Sequence, residues 1–167
     1  MPDADLDQSS DAIIGAAYGS AGERCMAISV VVAVGDETAD QLIESLTPKV
    51  KSLKIGAYDE PGVEMGPVVS KESQEKIVSY IDAGLKAGAD LKVDGRSETE
   101  REGFYVGGCL FDNVSSDMSI YTDEIFGPVL SVVRVSNYDE ALKLVNDHEY
   151  GNGTAIFTRD GDTARHF

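Results

Sequence analysis

A continuous run of apolar, mostly β-branched residues at 28–34 constrains the fold of this chain most strongly. With a single serine among them, these residues suit a strand that is buried on both faces, as the strands of parallel sheets are. A second run of this kind lies at 129–135, interrupted only by Ser131 and Arg134. Apolar residues at helical spacing separate such runs. Strands that alternate with helices predict an α/β fold with a mostly parallel sheet flanked by helices.

The other segments lie between clusters of turn residues and predict further elements. We predict helices at 7–18, 36–53, 70–88, 138–146 and from 160 onward, and extended segments or strands at 90–94, 104–114 and 154–157. Pro48 lies inside the second of these helices, where its missing N–H and its ring are expected to kink or break the helix. Residues 54–69, rich in Gly and Pro, predict a loop, and the charged residues 95–103 predict a solvated hairpin or loop.

A net charge of −16, from 30 acidic against 14 basic residues, limits the partners of the chain. Such a surface repels phosphate backbones and anionic membranes, so we expect neither nucleic-acid nor membrane binding. Two cysteines do not form a disulfide framework, and the acidic N-terminus lacks the basic region of a signal peptide. We therefore expect a cytoplasmic protein. His148 and His166 are isolated and predict no metal site.

Cys25 follows a stretch rich in glycine and alanine and lies just before the run at 28–34. A thiol at such a turn has backbone close by, and backbone N–H groups can stabilise the oxyanion that forms when a thiolate attacks a carbonyl group. Cys25 is therefore a candidate nucleophile. The alternative is that Cys25 is a small, buried core residue. The second cysteine, Cys109, lies on a strand-like run and is predicted to be a core thiol.

A second candidate site lies at residues 123–129, just before the run at 129–135. In extended chain, Glu124 and Phe126 lie on one side, and Gly127-Pro128 sets the turn into the strand. A carboxylate can accept hydrogen bonds from both hydroxyl groups of a ribose while a ring packs against a flat heterocycle. The alternative is a polar loop with a core phenylalanine.

Together, residues 23–27 and 124–129 resemble the aldehyde dehydrogenase superfamily. Further stretches narrow the resemblance to the CoA-acylating methylmalonate-semialdehyde dehydrogenases. These stretches are residues 3–5, 22–27, 65–68, 110–114 and 150–157. The resemblance covers essentially the whole chain and implies the catalytic domain of the aldehyde dehydrogenase fold.

The resemblance implies a role for each candidate residue. Cys25 matches the nucleophile, Glu124 the ligand of the nicotinamide ribose and Phe126 the ring beside the nicotinamide. Arg24 matches an arginine thought to bind the substrate carboxylate, which agrees with the fit of a guanidinium to a carboxylate. A structural salt bridge, for instance to Glu23, is the alternative. The implied cofactors are NAD and, as acyl acceptor, coenzyme A, and the implied substrates are methylmalonate and malonate semialdehyde.

Members of this family are much longer than 167 residues. We therefore expect residues 1–167 to form a single, partial catalytic domain truncated at both ends, without the NAD-binding domain and the oligomerisation segments. The resemblance also implies a homo-oligomer for the full-length form, and the mitochondrial matrix for a eukaryotic member. Two further hypotheses stay open: a non-catalytic, truncated paralogue that acts as an interaction module, and a hydrolytic aldehyde dehydrogenase that releases a free acid.

Overall fold

The computed structural model describes residues 1–167 and contains four strands and six α-helices. The strands are β1 (Val30–Val34), β2 (Asp90–Val93), β3 (Cys109–Asp112) and β4 (Val129–Val135). The helices are α1 (Leu6–Tyr18), α2 (Asp36–Ser52), α3 (Lys71–Ala87), α4 (Ser119–Thr122), α5 (Tyr138–Asp147) and α6 (Gly161–His166). None of the helices has the length and apolar character needed to cross a membrane.

The strands form one sheet in the order β1-β4-β3-β2. β4 pairs in parallel with β1 and β3, whereas β2 pairs antiparallel with β3 at the sheet edge. This mostly parallel sheet with helices packed on it confirms the predicted α/β class. β4 is buried over its first five residues, as predicted. β1 is only half-buried over its first three residues, so burial on both faces is wrong for this strand, which lines an open cavity.

Helix α2 continues through Pro48 to Ser52, so of the predicted kink or break, the break does not occur. One stripe of its side chains is buried against the core: Ala39, Leu42, Leu46 and Val50. A proline inside a helix costs about 3 kcal/mol, and burying this stripe provides more than that, at about 1.5–3 kcal/mol for each large apolar side chain. Packing therefore keeps α2 helical where the local sequence disfavours it.

Two further predictions differ from the structure. Residues 95–103 form a mostly exposed loop and not a hairpin, and this loop contains a short 3-10 helix, Arg96–Glu100. Residues 154–157 are not a strand, because no strand ladder forms beside β1 there. Their C-terminal end contacts the N-terminus instead: the Met1 ammonium group donates to the Phe157 carbonyl (3.1 Å), and the Asp3 carboxylate accepts from the Arg159 N–H (2.8 Å).

The core lies on both sides of the central strands β3 and β4. Cys109, Leu110, Phe111, Leu130 and Val132 have no exposed surface. The burial confirms Cys109 as a core thiol and raises its pKa to about 12.

Candidate active site

Cys25 lies in a tight turn that follows a left-handed stretch of backbone. A 3-10 turn at Gly19–Gly22 ends α1, with φ of 54° at Ser20 and Ala21 and 69° at Gly22. The next turn is closed by a hydrogen bond from the Ala27 N–H to the Arg24 carbonyl (3.0 Å). Cys25 is exposed, so the alternative of a buried core residue does not describe it.

The backbone of this turn offers hydrogen-bond donors beside the thiol. The N–H groups of Cys25 and Met26 donate to no acceptor within the chain. Successive free N–H groups in a turn attract an anion. A tetrahedral oxyanion formed on Cys25 can therefore be stabilised by the turn itself, which is the largest single contribution in many acyl-transfer enzymes.

The two predicted motifs are in contact through their glycines. A Cβ atom added to Gly22 would lie 2.3 Å from the carbonyl oxygen of Gly127. Only glycine permits this approach, and only glycine adopts φ of +69° without strain. On its other side Gly127 packs against Ile77 of α3. The structure therefore brings the Cys25 turn and the loop that carries Glu124 together, although about a hundred residues separate them.

Glu124 and Phe126 line a small pocket of about 300 Å³ at the side of α3. The Lys76 ammonium group donates to the Glu124 carbonyl (3.0 Å), and the Tyr80 hydroxyl donates to the carboxylate of Asp123 (3.0 Å). These bonds fix the loop backbone, while the exposed carboxylate of Glu124 makes no hydrogen bond within the chain.

The local backbone around Phe126 differs from the predicted extended chain. Phe126 has φ of +57°, a conformation that is costly for a residue with a bulky side chain. Its ring is 38% exposed, so it is not a core phenylalanine; the neighbouring Ile125 is buried instead. Backbone strain of this kind clusters at functional sites. Glu124 and Phe126 line one pocket, but through a left-handed turn in place of the predicted extended chain.

Arg24 has no carboxylate partner in the structure. Its guanidinium group lies against Gly19, and Nη2 donates to the Gly15 carbonyl at a long 3.4 Å. Glu23 does not pair with it: one Glu23 oxygen accepts from the Val69 N–H (2.8 Å), and the other is buried without a partner. Burial raises the pKa of the Glu23 carboxyl group. The predicted alternative of a structural salt bridge between Arg24 and Glu23 is therefore absent.

Comparison with known proteins places this chain in a family. The profile of the aldehyde dehydrogenase family matches residues 1–167. This chain belongs to the aldehyde dehydrogenase family. The sequence resemblance and the fold expected from it are thereby confirmed.

Two curated relatives of this aldehyde dehydrogenase chain have related names. A malonate-semialdehyde dehydrogenase of Pseudomonas aeruginosa is 59% identical over 170 residues, covering 100% of this chain and 34% of that protein. The mitochondrial, acylating methylmalonate-semialdehyde/malonate-semialdehyde dehydrogenase of Bos taurus is 43% identical, covering 100% of this chain and 31% of that protein. The chain thus spans about a third of the length of these curated relatives.

Solved structures agree with this placement. A Sinorhizobium meliloti structure, described as a methylmalonate-semialdehyde dehydrogenase complexed with NAD, is 62% identical with a TM-score of 0.96; the match covers 99% of this chain and 34% of that one. The methylmalonate-semialdehyde dehydrogenase of Oceanimonas doudoroffii is 49% identical with a TM-score of 0.97, and the match covers 100% of this chain and 35% of that one.

Several residues of this aldehyde dehydrogenase site were not predicted from the sequence. Lys76 and Tyr80 hold the loop around Glu124, and Glu23 binds the Cys25 turn to the loop before α3. Asn152 donates from Nδ2 to the carbonyl of Cys25 (2.5 Å). In the sequence, Asn152 lies within residues 150–157, one of the stretches that carry the family resemblance, but nothing there indicates a contact with Cys25.

A wide, mostly apolar cavity of about 1080 Å³ lies beside the Cys25 turn and the Glu124 loop. Cys25, Glu124, Phe126 and Asn152 all line it, together with the exposed face of β1. No group of three or more His, Cys, Asp or Glu side chains is arranged to hold a metal ion. The arrangement therefore offers a thiol, oxyanion donors and a free carboxylate at one open surface.

Proposed function

We propose that this chain is the catalytic portion of an NAD-dependent, CoA-acylating aldehyde dehydrogenase that acts on malonate and methylmalonate semialdehyde, with Cys25 as the nucleophile. One observation carries the proposal: the turn that holds the exposed Cys25 thiol and two free backbone donors follows Gly22, which packs against Gly127 of the loop that carries Glu124. The names of the relatives at 43–59% identity support the substrate class.

Cys25 begins the reaction. Its thiolate attacks the aldehyde carbon, a sulfur–carbon bond forms, and the carbonyl oxygen becomes an oxyanion that the Cys25 and Met26 N–H groups can stabilise. Loss of a hydride from that carbon restores the carbonyl and leaves a thioester on Cys25. Transfer of the acyl group to the thiol of coenzyme A frees Cys25. The substrate carboxylate leaves as carbon dioxide, with a proton in its place, so the product is acetyl-CoA or propionyl-CoA.

The pocket beside α3 fits the nicotinamide half of NAD. The exposed Glu124 carboxylate has both oxygens free to accept ribose hydroxyl groups, and the half-exposed Phe126 ring can border a flat heterocycle. When bound, NAD supplies the hydride acceptor. Lys76, which also lines the pocket, contributes by fixing the backbone of Glu124 through its carbonyl, so that the carboxylate stays free of this ammonium group.

Arg24 suits the carboxylate end of a semialdehyde. Its guanidinium group is exposed, has no acidic partner, and makes one long hydrogen bond that is easily exchanged. A guanidinium group pairs with a carboxylate through two parallel hydrogen bonds. Arg24 therefore distinguishes a semialdehyde acid from a simple aldehyde of similar size.

The test uses the Pseudomonas aeruginosa relative with residues 1–167 of this chain in place of its own corresponding segment. The formation of NADH and of a CoA ester is then followed. We expect turnover with malonate semialdehyde that Cys25→Ser abolishes and Cys109→Ser does not. Glu124→Gln should raise the KM for NAD. Arg24→Gln should raise the KM for malonate semialdehyde but leave that for propanal, which lacks a carboxylate, within about twofold, since the two substrates differ only in the group that Arg24 binds.

Three results would contradict the proposal. Turnover that survives Cys25→Ser would remove Cys25 from the reaction. Free acid in place of a CoA ester would favour the hydrolytic hypothesis. A Cys25 thiol with no reactivity toward any carbonyl compound would favour the interaction module.

A further inference from the structure

Asn152 is the one side chain that hydrogen-bonds to the backbone of the nucleophile turn, residues 24–27. Its Nδ2 donates to the carbonyl of Cys25 at 2.5 Å, from a position 127 residues further along the chain. The next residue, Gly153, packs against the turn as well, since a Cβ atom there would lie 3.0 Å from Cε of Met26. The turn between α5 and α6 therefore contacts the nucleophile turn at two successive residues.

We propose that Asn152 is a positioning residue that sets the direction of the oxyanion donor at Met26. The Cys25 carbonyl and the Met26 N–H belong to one planar peptide unit, and the chain has no cis peptide bond. In a trans peptide these two groups point in opposite directions. Holding the carbonyl toward Asn152 thus directs the Met26 N–H away from it, and that N–H has no acceptor within the chain.

Apart from the hydrogen bond with Asn152, no contact of the turn fixes the orientation of this peptide unit. Gly22 packs against Gly127, and the Glu23 carboxylate binds the Val69 N–H, so both contacts lie before the nucleophile. The hydrogen bond from Ala27 to Arg24 closes the turn but does not involve the Cys25 carbonyl. A turn held only at its two ends can rotate its central peptide at low cost, which would turn the donor away.

An amide at position 152 suits this task in a way that a carboxylate does not. A carbonyl oxygen needs a donor, and the Asn side chain provides an N–H₂ group, whereas an ionised Asp is acceptor-only. The residues on each side, Gly151 and Gly153, leave no side chain between Asn152 and the turn.

The inference rests on the proposed role of Cys25, so the test uses two reagents that separate the two proposals. p-Nitrophenyl acetate acylates a thiol through a tetrahedral oxyanion. Iodoacetamide alkylates a thiol by direct displacement, with no oxyanion. The ratio of the two rates at Cys25, measured by peptide mass spectrometry of the whole chain, reports oxyanion stabilisation and cancels changes in thiol exposure and ionisation.

We expect Asn152→Ala and Asn152→Asp to lower the acylation rate of Cys25 about tenfold, less than the full loss of an oxyanion donor, because the donor is misdirected and not removed. Alkylation should stay within about twofold. Asn146→Ala is the matched control, since Asn146 is exposed on the neighbouring helix and its side chain makes no hydrogen bond. It should change neither rate. Buried Cys109 should stay unmodified in every folded variant.

Equal changes in both rates, or no change in either, would overturn the role of Asn152. If Asn152→Ala exposes Cys109 to alkylation, that variant has lost its fold, and the rates of the near-isosteric Asn152→Asp then test the role of Asn152. Failure of the proposed function looks different: the wild-type Cys25 would then show the same ratio of acylation to alkylation as N-acetylcysteine in solution.

Discussion

Replacing Gly22 with alanine tests the contact that joins the two halves of the site. The backbone of Gly22 is left-handed, at φ of +69°, which costs an alanine about 1–2 kcal/mol. The new Cβ would also lie 2.3 Å from the Gly127 oxygen and 2.6 Å from its carbonyl carbon. Both are backbone atoms, which cannot turn aside as a side chain can.

Gly127 has no space into which to retreat. A Cβ atom on Gly127 would itself lie 2.5 Å from Ile77, whose side chain is fully buried. The clash therefore behaves as overpacking, at about 1–3 kcal/mol. With the cost of the left-handed backbone, Gly22→Ala should lower the free energy of unfolding by about 2–5 kcal/mol, which is a large part of the 5–15 kcal/mol that stabilises a typical domain.

Urea unfolding followed by far-UV circular dichroism measures this loss. The matched control is Gly15→Ala in α1, where an added Cβ meets nothing within 4 Å. That substitution should stabilise the chain by about 0.5–1 kcal/mol, because glycine is a poor residue for a helix interior. A Gly22→Ala variant within about 0.5 kcal/mol of the wild type, beside a control that behaves as expected, would refute the close approach of the two motifs.

Two further predictions concern charged groups. Arg134 donates to both oxygens of the buried Asp112 (3.0 and 2.8 Å) and to the exposed Asp40 (2.8 Å). In urea unfolding, Arg134→Met should therefore lower the free energy of unfolding by about 3–5 kcal/mol and Asp40→Asn by less than about 1 kcal/mol. Equal losses in the two variants would contradict this dependence on burial. Burial alone would raise the pKa of Asp112, but its hydrogen bonds with Arg134 and the Asn113 N–H hold that pKa below its ordinary 3.8. Because the folded pKa is the lower one, this stabilisation is complete above about pH 5 and is lost as the pH falls through the folded value. Stability measured from pH 6 to pH 3 should therefore fall less in Asp112→Asn than in the wild type, and parallel curves would refute the assignment.

The sequence predicts those elements whose local pattern and tertiary packing agree. The stripe of α2 and the apolar run of β4 each indicate the right element, since the residues that repeat are the ones that become buried. Pro48 does not break α2, because the local penalty is outweighed by burial that the local sequence does not show. Residues 154–157 mislead because a strand needs a neighbour, and strand propensity says nothing about whether one is present.

The site residues likewise fall into those that the sequence indicates and those that only the structure reveals. Cys25 and Glu124 can be picked out as candidates because the residue types next to them suit the chemistry proposed for them. Their close contact depends on Gly22 and Gly127, and a glycine in a sequence does not reveal which backbone approaches it. Asn152 acts through a hydrogen bond to a carbonyl 127 residues away, and any residue can provide a carbonyl. Contacts of this kind leave no pattern in a single sequence.

The most direct test of the account is to trap the covalent intermediate on Cys25. The Pseudomonas aeruginosa relative carrying residues 1–167 in place of its own segment is mixed with malonate semialdehyde and NAD in the absence of coenzyme A, quenched in acid and mapped by peptide mass spectrometry. The account predicts an acyl group on the Cys25 peptide that disappears when coenzyme A is added, with Cys109 unmodified. An acyl group on any other residue, or turnover with Cys25 never modified, would contradict it.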